Sequence, residues 1–306
     1  MTDLVLSLAS LYRDTPVLVA AYDGSDRLRF ANPAFRSAFF LDAEEEPLWS
    51  EIMRRNFALK RGTVLKTNDI EAWLLATQSR RGKLGFRAFE TDLHDGRWLW
   101  MTETVTADRW MLCIASDVTD LRPDERAVRQ DRDFAIKASF TDELTGIANR
   151  RFVLTQVEEM ILAGEKRAGV IGSVALIDLD HFKSVNDRFG HPTGDLVLRD
   201  FSRRILREIR RTDCFGRFGG EEFALIMPDT CTDEAVAIVQ RMAGLIRASR
   251  PFSDLPDLAY TFSAGIAVAE QGDTVSRLFM KADGALYAAK LAGRDCVRVH
   301  AGVIAA

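Results

Sequence analysis

Apolar and polar positions along the 306-residue chain change rhythm twice. Near the start, "PVLVAAYDGSDRLRFANPAF" carries two alternating runs around Asp23-Gly24, the pattern of a β-hairpin. A polar middle with helical spacing follows. Then "LGFRAFETDLHDGRWLWMTETV" and "RWMLCIASDVTDL" alternate again, with a second Asp-Gly turn at Asp95-Gly96, and read as antiparallel strands. The stretch 117–143 is highly charged after Pro123 and spaces Leu121, Val128 and Ala135 by seven, which predicts a connecting helix. Asp124 and Asp131 stand where a stable coiled coil carries Leu, so a solvated linker helix and a marginal coiled coil both fit. Beyond 141 the order becomes strand "SVALIDLD", a helix from Asp195, strands over 214–218 and 223–227, a helix over 232–249, strand "AYTFSAGIAV", a helix over 274–292 and strand "DCVRVH". A βαββαβ core of this kind is ferredoxin-like. Leu198, Phe201, Ile205 and Ile209 share one helix face, which predicts a sheet covered by helices on one side.

The fold class is therefore α+β, with an antiparallel sheet and helices over 1–120, a linker helix over 121–140 and the ferredoxin-like domain over 141–306. Composition supports the division, because all five tryptophans lie between Trp49 and Trp110. A net charge of −4 gives no electrostatic case for a nucleic-acid polymer and leaves room for a small anion. Cys113, Cys214, Cys231 and Cys296 are widely spaced, without a C-x-x-C pair, so neither a disulfide framework nor a zinc site is expected. The opening "MTDLVLSLASLYRDTP" lacks a basic n-region, and no apolar run approaches the roughly 18–20 residues of a bilayer span. A cytoplasmic protein without a membrane partner is the expectation.

Candidate chemistry concentrates in two stretches. In "RFGGEEFALIMPDT" the glycines can serve a plain hairpin, leaving Glu221 and Glu222 solvated, or they can let a ligand approach backbone beside two carboxylates suited to Mg2+. In "ALIDLDHFKSVND" alternation places Asp178 and Asp180 on one side of a strand, although Asp180 could equally cap the helix starting at His181. Strand pairing in a ferredoxin-like core would bring Asp178 close to Glu221. A helix starting there offers the N–H groups of His181, Phe182 and Lys183 to a phosphate. Lys290 and Arg294 lie four apart near the end of the last helix, either as phosphate ligands or as cations favoured at a helix C-terminus.

With Asp142, Leu144, Thr145, Asn149 and Arg150 in "DELTGIANRR", then "DLDHFK", Asn186-Asp187, "FGHPTGD", "GGEEF" and "AKLAGRD", residues 141–300 resemble a GGDEF-domain diguanylate cyclase in its GGEEF form. That resemblance implies condensation of two GTP into cyclic di-GMP and two pyrophosphates by a homodimer, each domain holding one GTP. It implies two Mg2+ per site, or Mn2+ in their place, on Asp178, Glu221 and the backbone oxygen of Leu179, with Glu222 completing the catalytic acidic edge. Asn186 and Asp195 would pair with guanine, Lys290 and Arg294 would hold phosphates, and Gly219 and Gly220 would keep the approach clear. Arg210 and Asp213 in "RRTD", joined by Arg241, match the family's inhibitory product site, where a guanidinium reads guanine O6 and N7. The bland alternative is a basic helix end. Rival readings are a cyclic di-GMP receptor without catalysis and a one-substrate nucleotide cyclase.

The first domain, with its hairpin, helices, meander and "ANPAF" after the second strand, resembles a PAS sensory domain over residues 8–120. His94 beside an Asp-Gly turn reads as a surface histidine, and Cys113 lacks the surroundings of a photoreactive cysteine. A ligand-free dimerisation module and a small-molecule sensor both fit.

Overall fold

The computed structural model describes residues 2–121, 139–165, 169–252, 254–255 and 258–300. The expected linker helix falls almost wholly outside these residues. The chain forms two compact units, Met1–Ser139 with Arg210–Thr212, and Phe140–Ile209 with Asp213–Ala306.

The first unit begins with α1 (Thr2–Asp14), absent from the sequence expectation, and then places β1 (Leu18–Tyr22) and β2 (Leu28–Ala31) as the expected hairpin. Helices α2 (Pro33–Phe39), α3 (Trp49–Ala58) and α4 (Ile70–Gln78) fill the polar middle. Strands β3 (Phe86–Asp92), β4 (Trp98–Val105) and β5 (Met111–Asp117) complete an antiparallel sheet in the order β2-β1-β5-β4-β3. "ANPAF" has a physical cause. Asn32 is fully buried; its Oδ1 caps α2 by accepting from Phe35 N–H at 2.9 Å and accepts from Val19 N–H at 3.1 Å, while Nδ2 donates to the carbonyls of Tyr12, Thr15 and Val17.

The second unit carries α5 (Arg150–Glu165), β6 (Gly172–Leu179), α6 (Phe182–Phe189), α7 (His191–Glu208), β7 (Cys214–Arg217), β8 (Glu222–Pro228), α8 (Thr232–Ala248), β9 (Phe262–Val268), α9 (Val275–Leu291) and β10 (Val297–Val299). Its sheet order is β10-β9-β6-β8-β7, the ferredoxin-like arrangement with β10 added in parallel at the edge. Two expectations need correction. The sheet is covered on both faces, because every residue of β6 is buried. Val174, Leu176, Ala224 and Ile226 pack with Phe152, Val157, Leu278 and Leu286 of α5 and α9, while Phe201 of α7 meets the rings of Phe215, Phe223 and Phe262 on the opposite side. α7 also starts four residues before Asp195, since Pro192 sits harmlessly in its first turn, where its missing N–H has no intrahelical partner anyway. Among the described residues no helix is long and apolar enough to cross a membrane.

Candidate functional site

Register between the central strands assembles the acidic edge. Asp178 of β6 lies opposite Glu222 of β8, and the N–H of Leu179 donates to the carbonyl of Glu221 at 3.3 Å. Asp178, Leu179, Glu221 and Glu222 thus come together where the two strands end. Lys290 reaches them from the last turn of α9, with Nζ 2.7 Å from Asp178 Oδ2. Burial first, then the negative charge of Asp178, raises the Glu221 carboxyl above its ordinary pKa; Lys290 opposes this and Glu222 adds to it.

The glycine hairpin is not the two-residue turn that Gly-Gly suggests. Its loop runs from Phe218 to Glu221, the N–H groups of Phe218 and Gly219 both donate to the Glu222 carbonyl, and neither glycine has left-handed φ. A Cβ on Gly220 would meet nothing within 4 Å, so packing does not explain that glycine. A Cβ on Gly219 would come within 2.6 Å of Glu222 Oε2. Arg217, given no role from the sequence, fixes the loop: its Nε and Nη2 donate to the Gly220 carbonyl at 3.0 and 2.7 Å, and Nη1 lies 3.3 Å from Asp142. Asp142 is itself held by the N–H and hydroxyl of Thr145.

Asp180 takes neither role left open for it. No side chain caps α6, whose preceding residue His181 is left-handed at φ 55°. The Asp180 carboxylate instead accepts from Thr261 Oγ1 at 2.7 Å, Ser263 Oγ at 2.6 Å and Asp295 N–H at 3.0 Å. His181 and Lys183 are exposed at the start of α6, and Phe182 is buried. Asn186 lies against Gly194, whose absent Cβ would sit 2.0 Å from Asn186 Oδ1, and Asp195 follows on exposed surface. Arg294 stands in left-handed backbone at φ 66° beyond α9. Arg210 and Asp213 occupy the connection from α7 to β7, where Asp213 is buried, and Arg241 of α8 donates to the Glu208 carbonyl at 3.1 Å.

The donors suit a divalent cation, although among the described residues no three His, Cys, Asp or Glu side chains converge as a closed cage. Mg2+ is commonly held by one or two carboxylates together with substrate phosphates. Here burial and then the charge of Asp178 raise the Glu221 carboxyl, and a cation would favour its ionised form.

The second unit is thus a ferredoxin-like sheet with acids at the ends of two adjacent strands and a lysine beside them. A family model described as diguanylate cyclase, GGDEF domain, matches residues 139–296, and the chain belongs to that family. Response regulator PleD of Caulobacter vibrioides is 40% identical over 177 residues, 56% of this chain and 38% of its own length. Diguanylate cyclase DgcP of Pseudomonas aeruginosa is 29% identical over 251 residues, 82% of this chain and 36% of its own. The chain therefore spans less than two-fifths of the length of these relatives. The solved coiled coil and GGDEF domain of DgcB from Caulobacter crescentus, in complex with c-di-GMP, is similar with TM-score 0.56 and 28% identity, covering 60% of this chain and 96% of that one.

Proposed function

We propose that the second unit is a diguanylate cyclase that condenses two GTP into cyclic di-GMP. Each 3′-oxygen forms a bond to the other nucleotide's α-phosphorus, each α–β phosphoanhydride breaks, and two pyrophosphates and two protons leave. The observation that carries this reading is the acidic edge of Asp178, Glu221 and Glu222, with Lys290 at 2.7 Å and Gly220 open beside it. Asp178, Glu221 and the Leu179 carbonyl would hold two Mg2+, or Mn2+. When bound, the metal supplies charge neutralisation to the triphosphate and acidity to the 3′-hydroxyl. Asn186 and Asp195 orient guanine, while Lys290, Arg294 and the start of α6 at His181, Phe182 and Lys183 hold phosphates. One GTP per domain makes the working unit a homodimer.

Two finer readings accompany it. The order β2-β1-β5-β4-β3, with helices between β2 and β3, supports a PAS-like regulatory role for the first unit. Arg210, Asp213 and Arg241 are proposed as a product site that restrains the enzyme, a reading supported by the R-x-x-D spacing of "RRTD" ahead of "GGEEF". Incubation with GTP and Mg2+, with the products separated and identified, is expected to give cyclic di-GMP and pyrophosphate. No turnover with retained cyclic di-GMP binding would make the chain a receptor, and a cyclic mononucleotide would make it a one-substrate cyclase. Arg210→Ala is expected to weaken inhibition by added cyclic di-GMP roughly ten- to hundred-fold, at nearly unchanged initial rate. Equal inhibition of mutant and wild type would reduce "RRTD" to a helix end.

A further inference from the structure

Three consecutive residues after α9 have left-handed backbone: Gly293 at φ 105°, Arg294 at 66° and Asp295 at 44°. Glycine adopts such angles freely, but arginine and aspartate keep them only where their surroundings hold them. The holding groups are specific. Arg294 N–H donates to the Ala289 carbonyl at 3.2 Å, and Asp295 N–H donates to Asp180 Oδ2 at 3.0 Å. On the outer side, the Asp295 carboxylate takes a two-pronged bond from Arg247 of α8, Nε and Nη2 each at 2.8 Å.

Asp180 is nearly inaccessible, and its remaining bonds tie it to Thr261 and Ser263. One carboxylate therefore joins the end of β6, which carries Asp178, to the start of β9 and to the turn that carries Arg294. We infer that Asp180 is a positioning residue of the nucleotide site: it fixes the backbone of Arg294 relative to the metal strand, and Arg247 acts as its outer clamp. This deepens the cyclase reading and rests on Arg294 being a phosphate ligand. The chemistry of the contact separates two substitutions. An Asn at 180 can turn its carbonyl oxygen to Asp295 N–H and Thr261 and donate its amide to the Ser263 hydroxyl, whereas Ala leaves the turn without its acceptor.

The test uses full-length chain with Mg2+, a non-hydrolysable GTP analogue and guanosine as probes, and equilibrium binding as readout. Asp180→Ala is expected to weaken the triphosphate analogue about ten-fold, to leave guanosine within about two-fold, and to add nothing once Arg294→Ala is present. Asp180→Asn is expected to stay within about three-fold of wild type. Equal weakening of both probes, or full additivity with Arg294→Ala, overturns the inference. Should Asp180→Ala not fold, Arg247→Ala serves, since that side chain is 54% exposed. It is expected to cost the analogue about three-fold, again only while Arg294 is intact, and an unchanged affinity overturns the inference. If Arg294→Ala alone leaves the analogue's affinity unchanged, it is the phosphate reading beneath the inference that fails.

Discussion

Gly194 shows how a glycine can be required by its neighbour rather than by its own φ. An added Cβ would lie 2.0 Å from Asn186 Oδ1 and 3.2 Å from Phe182 Cζ, so Gly194→Ala must move the side chain proposed to read guanine. The expected result is a KM for GTP raised about ten-fold with kcat changed much less, checked by steady-state rates; an unmoved KM would take Asn186 off the guanine edge. Glu221 gives the complementary case. Because burial and Asp178 raise its pKa, its ionised form costs the fold stability, and Glu221→Gln removes that cost together with the charge proposed to hold metal. Turnover should fall by at least about a hundred-fold while the melting temperature holds or rises. Near wild-type turnover would remove the metal assignment. Glu221 and Glu222 were conspicuous in the sequence, because a carboxylate beside two glycines has few structural uses. The work of Asp180 was not, since Asp-x-Asp reads alike whether the second acid binds a ligand, caps a helix or accepts from a distant turn. Arg217 and Arg247 were hidden for the same reason: their partners at Gly220 and Asp295 depend on tertiary placement.

At the scale of elements, the strands were the most legible parts, because β6 and β8 are continuous apolar runs bounded by turn residues. Helix α5 lies outside the sequence expectation although Val153, Val157, Met160 and Ile161 recur at helical spacing and are all buried, and so does the second covered face of the sheet. That face matters to the site because α9 lies on it and delivers Lys290. Its close approach depends on Gly265 of β9, where a Cβ would fall 2.1 Å from Leu286 N and 2.2 Å from Ala282 O. These are backbone atoms, so no rotamer change can relieve the clash. Gly265→Ala is expected to destabilise the second unit by about 3 kcal/mol or more and to draw Lys290 away from Asp178. The check is a thermal melt combined with the KM for GTP. A variant of unchanged stability would mean that α9 does not seat on Gly265.

For the molecule as a whole, the two units hold their carboxyl groups in opposite ways. In the first, burial alone would raise Glu103, but Arg81 and Arg87 bring it down to about 2. Asp23 likewise reaches about 2 against its burial, through bonds from Ser25, Arg29 and Arg27. Arg55 lowers Glu45 and Arg97 lowers Asp95. In the second, the carboxyls with resolved shifts among the described residues, Glu159 and Glu221, are raised, each first by burial and then, despite opposing contacts, by a neighbouring acid. A lowered carboxyl lends stability that is complete above its unfolded value near 4 and is lost as pH falls toward about 2. A raised one penalises the fold once ionised, and that penalty vanishes below the unfolded value. Acid should therefore weaken the first unit and relieve the second. Because all five tryptophans lie in the first unit, tryptophan emission follows that unit alone, while calorimetry follows both. Between pH 7 and pH 3 the transition seen by tryptophan is expected to fall by about 5–10 °C relative to the remaining heat-absorption peak. A single transition, reported identically by both measurements at every pH, would show that this opposition of charges does not govern how the molecule unfolds.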